Sequence, residues 1–376
     1  MQKLSLRNLA LLAALLAVWG FFAAMEPTFL SSRNLSNLMI EVSITAVLAM
    51  GMFLVILTGN IDLSVGSGVG LFGGIAAVLI FWHQVSAPAS MLVSLGIGIA
   101  IWLAMGTLII KQRMPAFIIT LGGLLVFQGL HWLVIKNSTV PVSVGGRDNA
   151  LSLLTTWYLP RLGGLALCIV IWALLAGMSL YGRRRRKADG LEVESGEVTF
   201  YKILITAQVL AVFWLVCDQY RGIPLSAVIF AAVTFVVYVL SKHTRFGRHV
   251  YAIGGNEEAA RVSGIAVDRT VIAVFGIMGA LTCLTGWLQT AYVGASTTTV
   301  GKLMELDAIA ACVIGGASLK GGRGTVLGVL FGSLLMASLL NGMTLMAVSA
   351  EIKPIARGAV LALAVWMDVR LSRKAA

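Results

Sequence analysis

Charge is what this chain lacks. Asp, Glu, Lys and Arg make up 12% of its 376 residues, against roughly 25% in an average soluble domain. The apolar fraction is 59%, so a water-soluble fold is excluded: there is too little polar surface to cover one. Cysteine is scarce too. Cys168, Cys217, Cys283 and Cys312 stand far apart inside apolar runs, without redox or metal-ligand spacing, and read as reduced packing residues. His83, His131, His243 and His249 form no H-x-x-x-H or similar pair, so no metal is expected. There is no G-x-x-x-x-G-K-[ST] loop to cradle nucleotide phosphates, no G-x-S-x-G elbow and no H-E-x-x-H helix. Without a nucleophile, base and orienting acid close together, an enzyme is not expected, nor catalytic residues or a cofactor. Any ATP that drives this protein would be hydrolysed by another chain.

Long apolar runs are what is present. A membrane helix needs about 20 mostly apolar residues. Runs at or near that length cover 9–25, 39–57, 65–81, 91–110, 116–135 and 162–180, then 203–216, 227–240, 270–292, 306–318, 325–343 and 354–367. They predict an all-α, polytopic integral membrane protein of ten to twelve transmembrane helices, some discontinuous, forming one domain over 1–376 with only loops outside the bilayer. The first run follows Lys3 and Arg7 like a signal peptide, but it is too long and lacks a cleavage site, so it is kept as a span.

The net charge of +12 comes from Lys and Arg scattered between apolar runs, with no basic face interleaved with aromatics, which argues against nucleic acid. Topology accounts for it better. With the N-terminus inside and the runs alternating, most of the 28 basic residues fall on the cytoplasmic side, including Lys111, Arg183 to Lys187, Arg245, Arg261 and Lys320. That satisfies the positive-inside rule and predicts two cytoplasmic termini. It also requires the short run 306–318 to cross rather than dip, because the basic tail would otherwise lie outside.

Two segments break the hydrophobic pattern at corresponding places in the two halves: LTGNIDLSVGSGVG at 57–70 and ELDAIAACVIGGASLKGGRG at 305–324. Irregular backbone at membrane depth survives only where protein or a watery cavity covers it, and paired glycine-interrupted spans point to a translocation site between structural repeats. The same glycines also suit close helix packing; the two readings are compatible. The polar residues of these segments, Asn60, Asp62, Ser64, Asp307 and Ser318, are the candidates for the pathway. Asp62 and Asp307 have a second reading, as caps on the N-termini of half-helices. Glu41 reads as interfacial.

In the polar segment 245–269 the stretch after Gly255 is built like a short capped helix. Asn256 suits the N-cap, Glu257 and Glu258 the positive end of the dipole, and Gly264 the C-terminal stop. Such a knob can seat in a partner's groove, although a solvated connecting loop is the alternative. The insert at about 181–202 joins the basic run 183–187 to the acidic ADGLEVESGEV, and reads as a topogenic anchor with a flexible loop, or as a lipid or partner contact.

TGNIDLSVGS, RFGRHVYAIGGNEEAARVSGI, ELDAIAACVIGGASLKGG and the closing LALAVWMDV resemble the permeases of bacterial sugar-uptake ABC transporters, the group with ribose, arabinose, galactoside and xylose members. The resemblance runs from about Glu26 to Asp368. The insert near 183–198 and the wording ELDAIAACVIGG are most similar to the D-xylose members, and depart from the shorter ribose type. The resemblance implies a homodimer of permeases in the bacterial inner membrane, two cytoplasmic ATPase subunits and a periplasmic sugar-binding protein. It implies that Gly255, Asn256, Glu257, Ala259, Ala260, Ser263 and Gly264 form the helix that couples to the ATPase. Asn60, Asp62 and Ser64 would line or brace the pathway. An ion-coupled secondary transporter is the rival, with few acidic residues near membrane depth to serve as a relay; a passive channel is another.

Overall fold

A computed structural model describes residues 6–374 except 192 and 194, with side chains described within 11–366. The predicted runs all fall on helices. In chain order these are α1 (Leu6–Met25), α2 (Ser32–Leu57), α3 (Val65–Phe81), α4 (Ala87–Lys111), α5 (Ala116–Val134), the single turn α6 (Leu153–Thr156), α7 (Arg161–Ala188), α8 (Gly196–Asp218) and α9 (Leu225–His243). Two short helices follow, α10 (Arg245–Gly255) and α11 (Glu257–Val262), then α12 (Val267–Val293), α13 (Met304–Ile314), α14 (Val326–Leu345) and α15 (Ile352–Lys374). Among the described residues eight helices are long and apolar enough to cross a membrane, with shorter apolar stretches at Leu11–Met25 and Val65–Phe81. Sheet is confined to two antiparallel two-residue pairs, Val140–Pro141 with Ala295–Ser296 and Tyr158–Leu159 with Ile223–Pro224.

Helix α2 is the central post. From Ala46 to Leu57 its side chains are fully enclosed, chiefly by α9, α12, α13 and α14. A helix apolar on every face is stable inside such a bundle. Helices α7 and α8 are the opposite case: Leu174, Met178, Val209 and Val212 lie open, the apolar surface that lipid covers in a spanning helix. This hairpin is tied together by the Arg161–Asp218 ion pair at 3.3 Å and by Trp214 Nε1 donating to the Arg161 carbonyl at 3.3 Å.

Two sequence readings change here. The basic run 183–187 is not part of a loop but the last turns of α7, whose 28 residues extend about 42 Å, beyond a hydrocarbon core of roughly 30 Å. The connecting loop is short, and Glu192 and Glu194 of the acidic insert lie outside the described residues. In the polar segment, one helix was expected and two are found. Thr244 caps α10, its hydroxyl accepting from the Gly247 amide at 3.2 Å, and Val250 and Ile253 bury the inner face.

The close-packing role of glycine is visible throughout. Gly68 and Gly279 both seat Trp102, Gly98 seats Cys283, Gly315 at the end of α13 meets Gly328 of α14, and Gly332 of α14 meets Ala311 of α13. Any side chain at these points would force the helix axes apart.

The interrupted spans and the exposed knob

Both interrupted segments converge on one end of α2. The Gly322 amide donates to the Leu57 carbonyl at 3.0 Å, although the two residues are far apart in sequence. The chain after α2 does not leave the bundle at once. Asp62 is fully buried; one carboxylate oxygen accepts from the Ser64 amide at 2.9 Å and the Ser64 hydroxyl at 2.6 Å, and the other accepts from Trp102 Nε1 at 2.7 Å. Trp102 sits nine residues before the end of α4, roughly 13 Å along its axis, so α3 begins inside the protein. Asp62 therefore braces the buried turn that leads into α3. Asn60 turns back on its own loop, donating to the Thr58 hydroxyl at 3.0 Å. Ser318 does the same in the second segment, its hydroxyl accepting from the Lys320 amide at 3.3 Å.

Asp307 behaves differently from those four. It lies on the first turn of α13, and its carboxylate stands 3.1 Å from Arg357 Nε of α15, both groups largely buried. The pair lines a cavity of about 290 Å³ toward the other end of α2, together with Glu41, Thr45, Gln289, Tyr292, Lys302 and Thr344. Glu41, expected to be merely interfacial, accepts from the Tyr292 hydroxyl at 2.8 Å and from Asn341 Nδ2 at 3.1 Å. Glu305, which sequence reading did not single out, is also buried, with its carboxylate against Gly66 at the start of α3. The N-termini of the two interrupted helices, α3 and α13, thus meet in the interior, and the carboxylates of Asp62, Glu305 and Asp307 sit in first turns, or just before them, where helix dipoles favour negative charge.

At the α2 end away from this cavity, α11 stands out of the bundle. Asn256 Oδ1 accepts from the Ala259 amide at 2.9 Å, Gly264 closes the helix with φ +82°, and the whole knob is the capped form the sequence predicts. Arg261 pairs with Glu257 at 3.1 Å and with Asp268 at 2.9 Å; these carboxylates hold its guanidinium above its ordinary pKa. Gly255, Glu257, Ser263 and Gly264 are exposed. Ala260 is not: it turns into the chain's own core. The most prominent apolar side chain of the knob is Val262, 91% exposed, which no sequence motif marks because a single valine in a polar helix has no period.

A bundle of spanning helices with buried half-helix starts, a cavity lined by charged and polar groups and a stiff exposed knob defines a polytopic membrane transport protein. The chain belongs to the permease family described as "Branched-chain amino acid transport system / permease component", whose pattern matches residues 34–365. It is 39% identical to the xylose transport system permease protein XylH of Escherichia coli, over all of this chain and 94% of that protein. It is 38% identical to the same-named protein of Haemophilus influenzae, over all of this chain and 99% of that protein. The ribose import permease protein RbsC of Escherichia coli is 32% identical, over 95% of this chain and 92% of its own. No solved structure matches the chain.

Proposed function

We propose that this chain is the membrane-spanning permease subunit of an ATP-driven importer that carries a monosaccharide, D-xylose, across a bacterial inner membrane. It would act as a homodimer, with ATP hydrolysed by two separate cytoplasmic domains docked on α11. A periplasmic sugar-binding protein would deliver cargo to the cavity side, and both termini would lie in the cytoplasm. Alternating access follows: ATP draws the hydrolysing domains together, α10 and α11 carry the motion inward, and the bundle opens toward the loaded binding protein.

The observation that carries this reading is the opposed placement of a capped knob and a polar cavity at the two ends of α2. The lining charges balance, Glu41 and Asp307 against Lys302 and Arg357, and Gln289, Tyr292, Thr45 and Thr344 add neutral donors and acceptors. A neutral polyol suits such a lining, since each hydroxyl both donates and accepts. The names of the relatives favour a pentose over the amino acids of the family description. Reconstitution in vesicles with the hydrolysing subunit and binding protein tests this: radiolabelled D-xylose should accumulate only with internal ATP. Because three carboxylates, Asp62, Glu305 and Asp307, lie buried in the bundle, the rival is ion coupling; uptake driven by a proton or sodium gradient without nucleotide would establish it instead.

Docking through α11 gives a sharper expectation. A protruding valine fills a groove in a partner and is worth little in water, whereas a carboxylate in its place must be desolvated without a partner. Val262→Asp should lower co-purification of the hydrolysing subunit by about tenfold or more, with the permease itself unchanged in yield and melting temperature. Equal recovery of the subunit would remove α11 as the docking element.

A further inference from the structure

Three separate parts of the backbone meet beneath the knob. The end of α10 lies between the loop that follows α2 and the loop that joins α13 to α14. A Cβ on Gly254 would fall inside the Leu57 carbonyl oxygen and the Gly322 amide nitrogen. One on Gly321 would come 2.8 Å from the Gly254 Cα and 2.9 Å from the Gly59 amide nitrogen, and one on Gly322 would come 2.7 Å from the Gly255 amide nitrogen. Backbone packs on backbone here, with no side chain between. Two hydrogen bonds close the junction: the Gly322 amide to the Leu57 carbonyl at 3.0 Å, and the Tyr251 hydroxyl of α10 to the Gly324 carbonyl at 2.9 Å.

Contacts of this kind transmit displacement without slack, because a polypeptide backbone cannot absorb a push by changing rotamer. We infer that Gly254 and Tyr251 are positioning residues that weld α10 to both interrupted spans, so that force on α11 moves α2 and the α13–α14 pair as one body. Both elements contribute to the wall of the cavity, Glu41 from α2 and Asp307 from α13. Motion of this junction therefore acts on both together, although it lies at the far end of α2. The inference rests on the reading of α11 as the docking knob, and extends it from where the partner binds to how the stroke reaches the path.

The test separates docking from transmission. Gly254→Ala and Tyr251→Phe are each assembled with the hydrolysing subunit and the binding protein. Three quantities are read: subunit recovered per permease, ATP hydrolysed, and D-xylose accumulated. Gly254→Ala should lower the sugar transported per ATP at least about tenfold, since its Cβ must displace main chain, while recovery of the subunit stays within twofold of the parent, a margin of roughly 0.4 kcal/mol. Tyr251→Phe, which removes one hydroxyl and keeps the ring, should lower the same ratio about threefold. Gly177→Ala, at a helical glycine with nothing within 4 Å, should match the parent. A sugar-to-ATP ratio unchanged in Tyr251→Phe and Gly254→Ala would overturn the weld while leaving docking through α11 intact. So would a fall in subunit recovery that accounts for all the lost transport. If Gly254→Ala does not fold, the Tyr251→Phe ratio decides alone. If the parent assembly takes up sugar without nucleotide, the importer reading itself fails and the weld falls with it.

Discussion

Replacing Asp62 by alanine is expected to cost about 3 kcal/mol or more of stability, seen as a large fall in melting temperature and folded yield in detergent. Three donors converge on this carboxylate, the Ser64 amide, the Ser64 hydroxyl and Trp102 Nε1, and none of them reaches water because Asp62, Ser64 and Trp102 are fully enclosed. Alanine would leave all three unpaired, each at about 1–3 kcal/mol before relaxation. Asp62→Asn keeps one acceptor oxygen for Ser64 but turns its amide nitrogen, a donor, toward Trp102 Nε1, so it should recover only part of the loss. Trp102→Phe removes a single donor, at roughly 1–3 kcal/mol including the imperfect fill of the indole site. The pattern separates bracing from substrate contact. If Asp62 braces the start of α3, Asp62→Asn transports once folded, with an unaltered concentration dependence. A folded Asp62→Asn protein with a strongly weakened apparent sugar affinity would show instead that the carboxylate meets cargo.

The second large effect lies in the cavity. Arg357→Ala should be more damaging than the double change Asp307→Asn with Arg357→Gln. Removing the guanidinium alone leaves Asp307, 4% exposed, as a buried charge without its partner at 3.1 Å; breaking one half of such a pair costs about 3–5 kcal/mol. Replacing both by neutral polar groups of similar shape removes that penalty. A double-mutant cycle on melting temperature should therefore give a coupling of at least about 1 kcal/mol in favour of the pair. Transport should follow the same order, because the pair joins α13 to α15 across the cavity mouth. Strictly additive single effects would mean that the 3.1 Å contact has no energetic consequence.

Much of this protein was legible without coordinates. The runs that predict spans all overlap helices, although 306–318 is helical only to Ile314, and the run 65–81 coincides with α3 to the residue. The run expected at 91–110 gained a turn at its start because Pro88 is allowed in a helix's first turn. Asn256 and Gly264 announced α11, since capping is local chemistry decided within a few residues. The α10 helix was missed for a different reason. Its apolar positions Phe246, Val250 and Ile253 do recur with helical spacing, but glycines at 247, 254 and 255 masked them. Gly254 is there for its contact with Leu57 and Gly322, distant parts of the chain that a local reading cannot count.

The candidate site divides along the same line. Asp62 and Asp307 look alike in sequence, each an acid beside a glycine-interrupted span, yet one is sealed under Trp102 and the other faces a cavity opposite Arg357. Glu41 looked interfacial and is a cavity wall, held by Tyr292 and Asn341 from distant helices. The sequence by itself determined that lipid surrounds this chain, where its long apolar helices lie, and where its exposed knob begins and ends, because hydropathy and capping act over one or two helical turns. Only the tertiary structure decided which acid is braced by Trp102 and which lines the cavity, and that Gly254, Leu57 and Gly322 share one junction. Those outcomes depend on partners dozens to hundreds of residues away, and such a partner is chosen by how the helices pack.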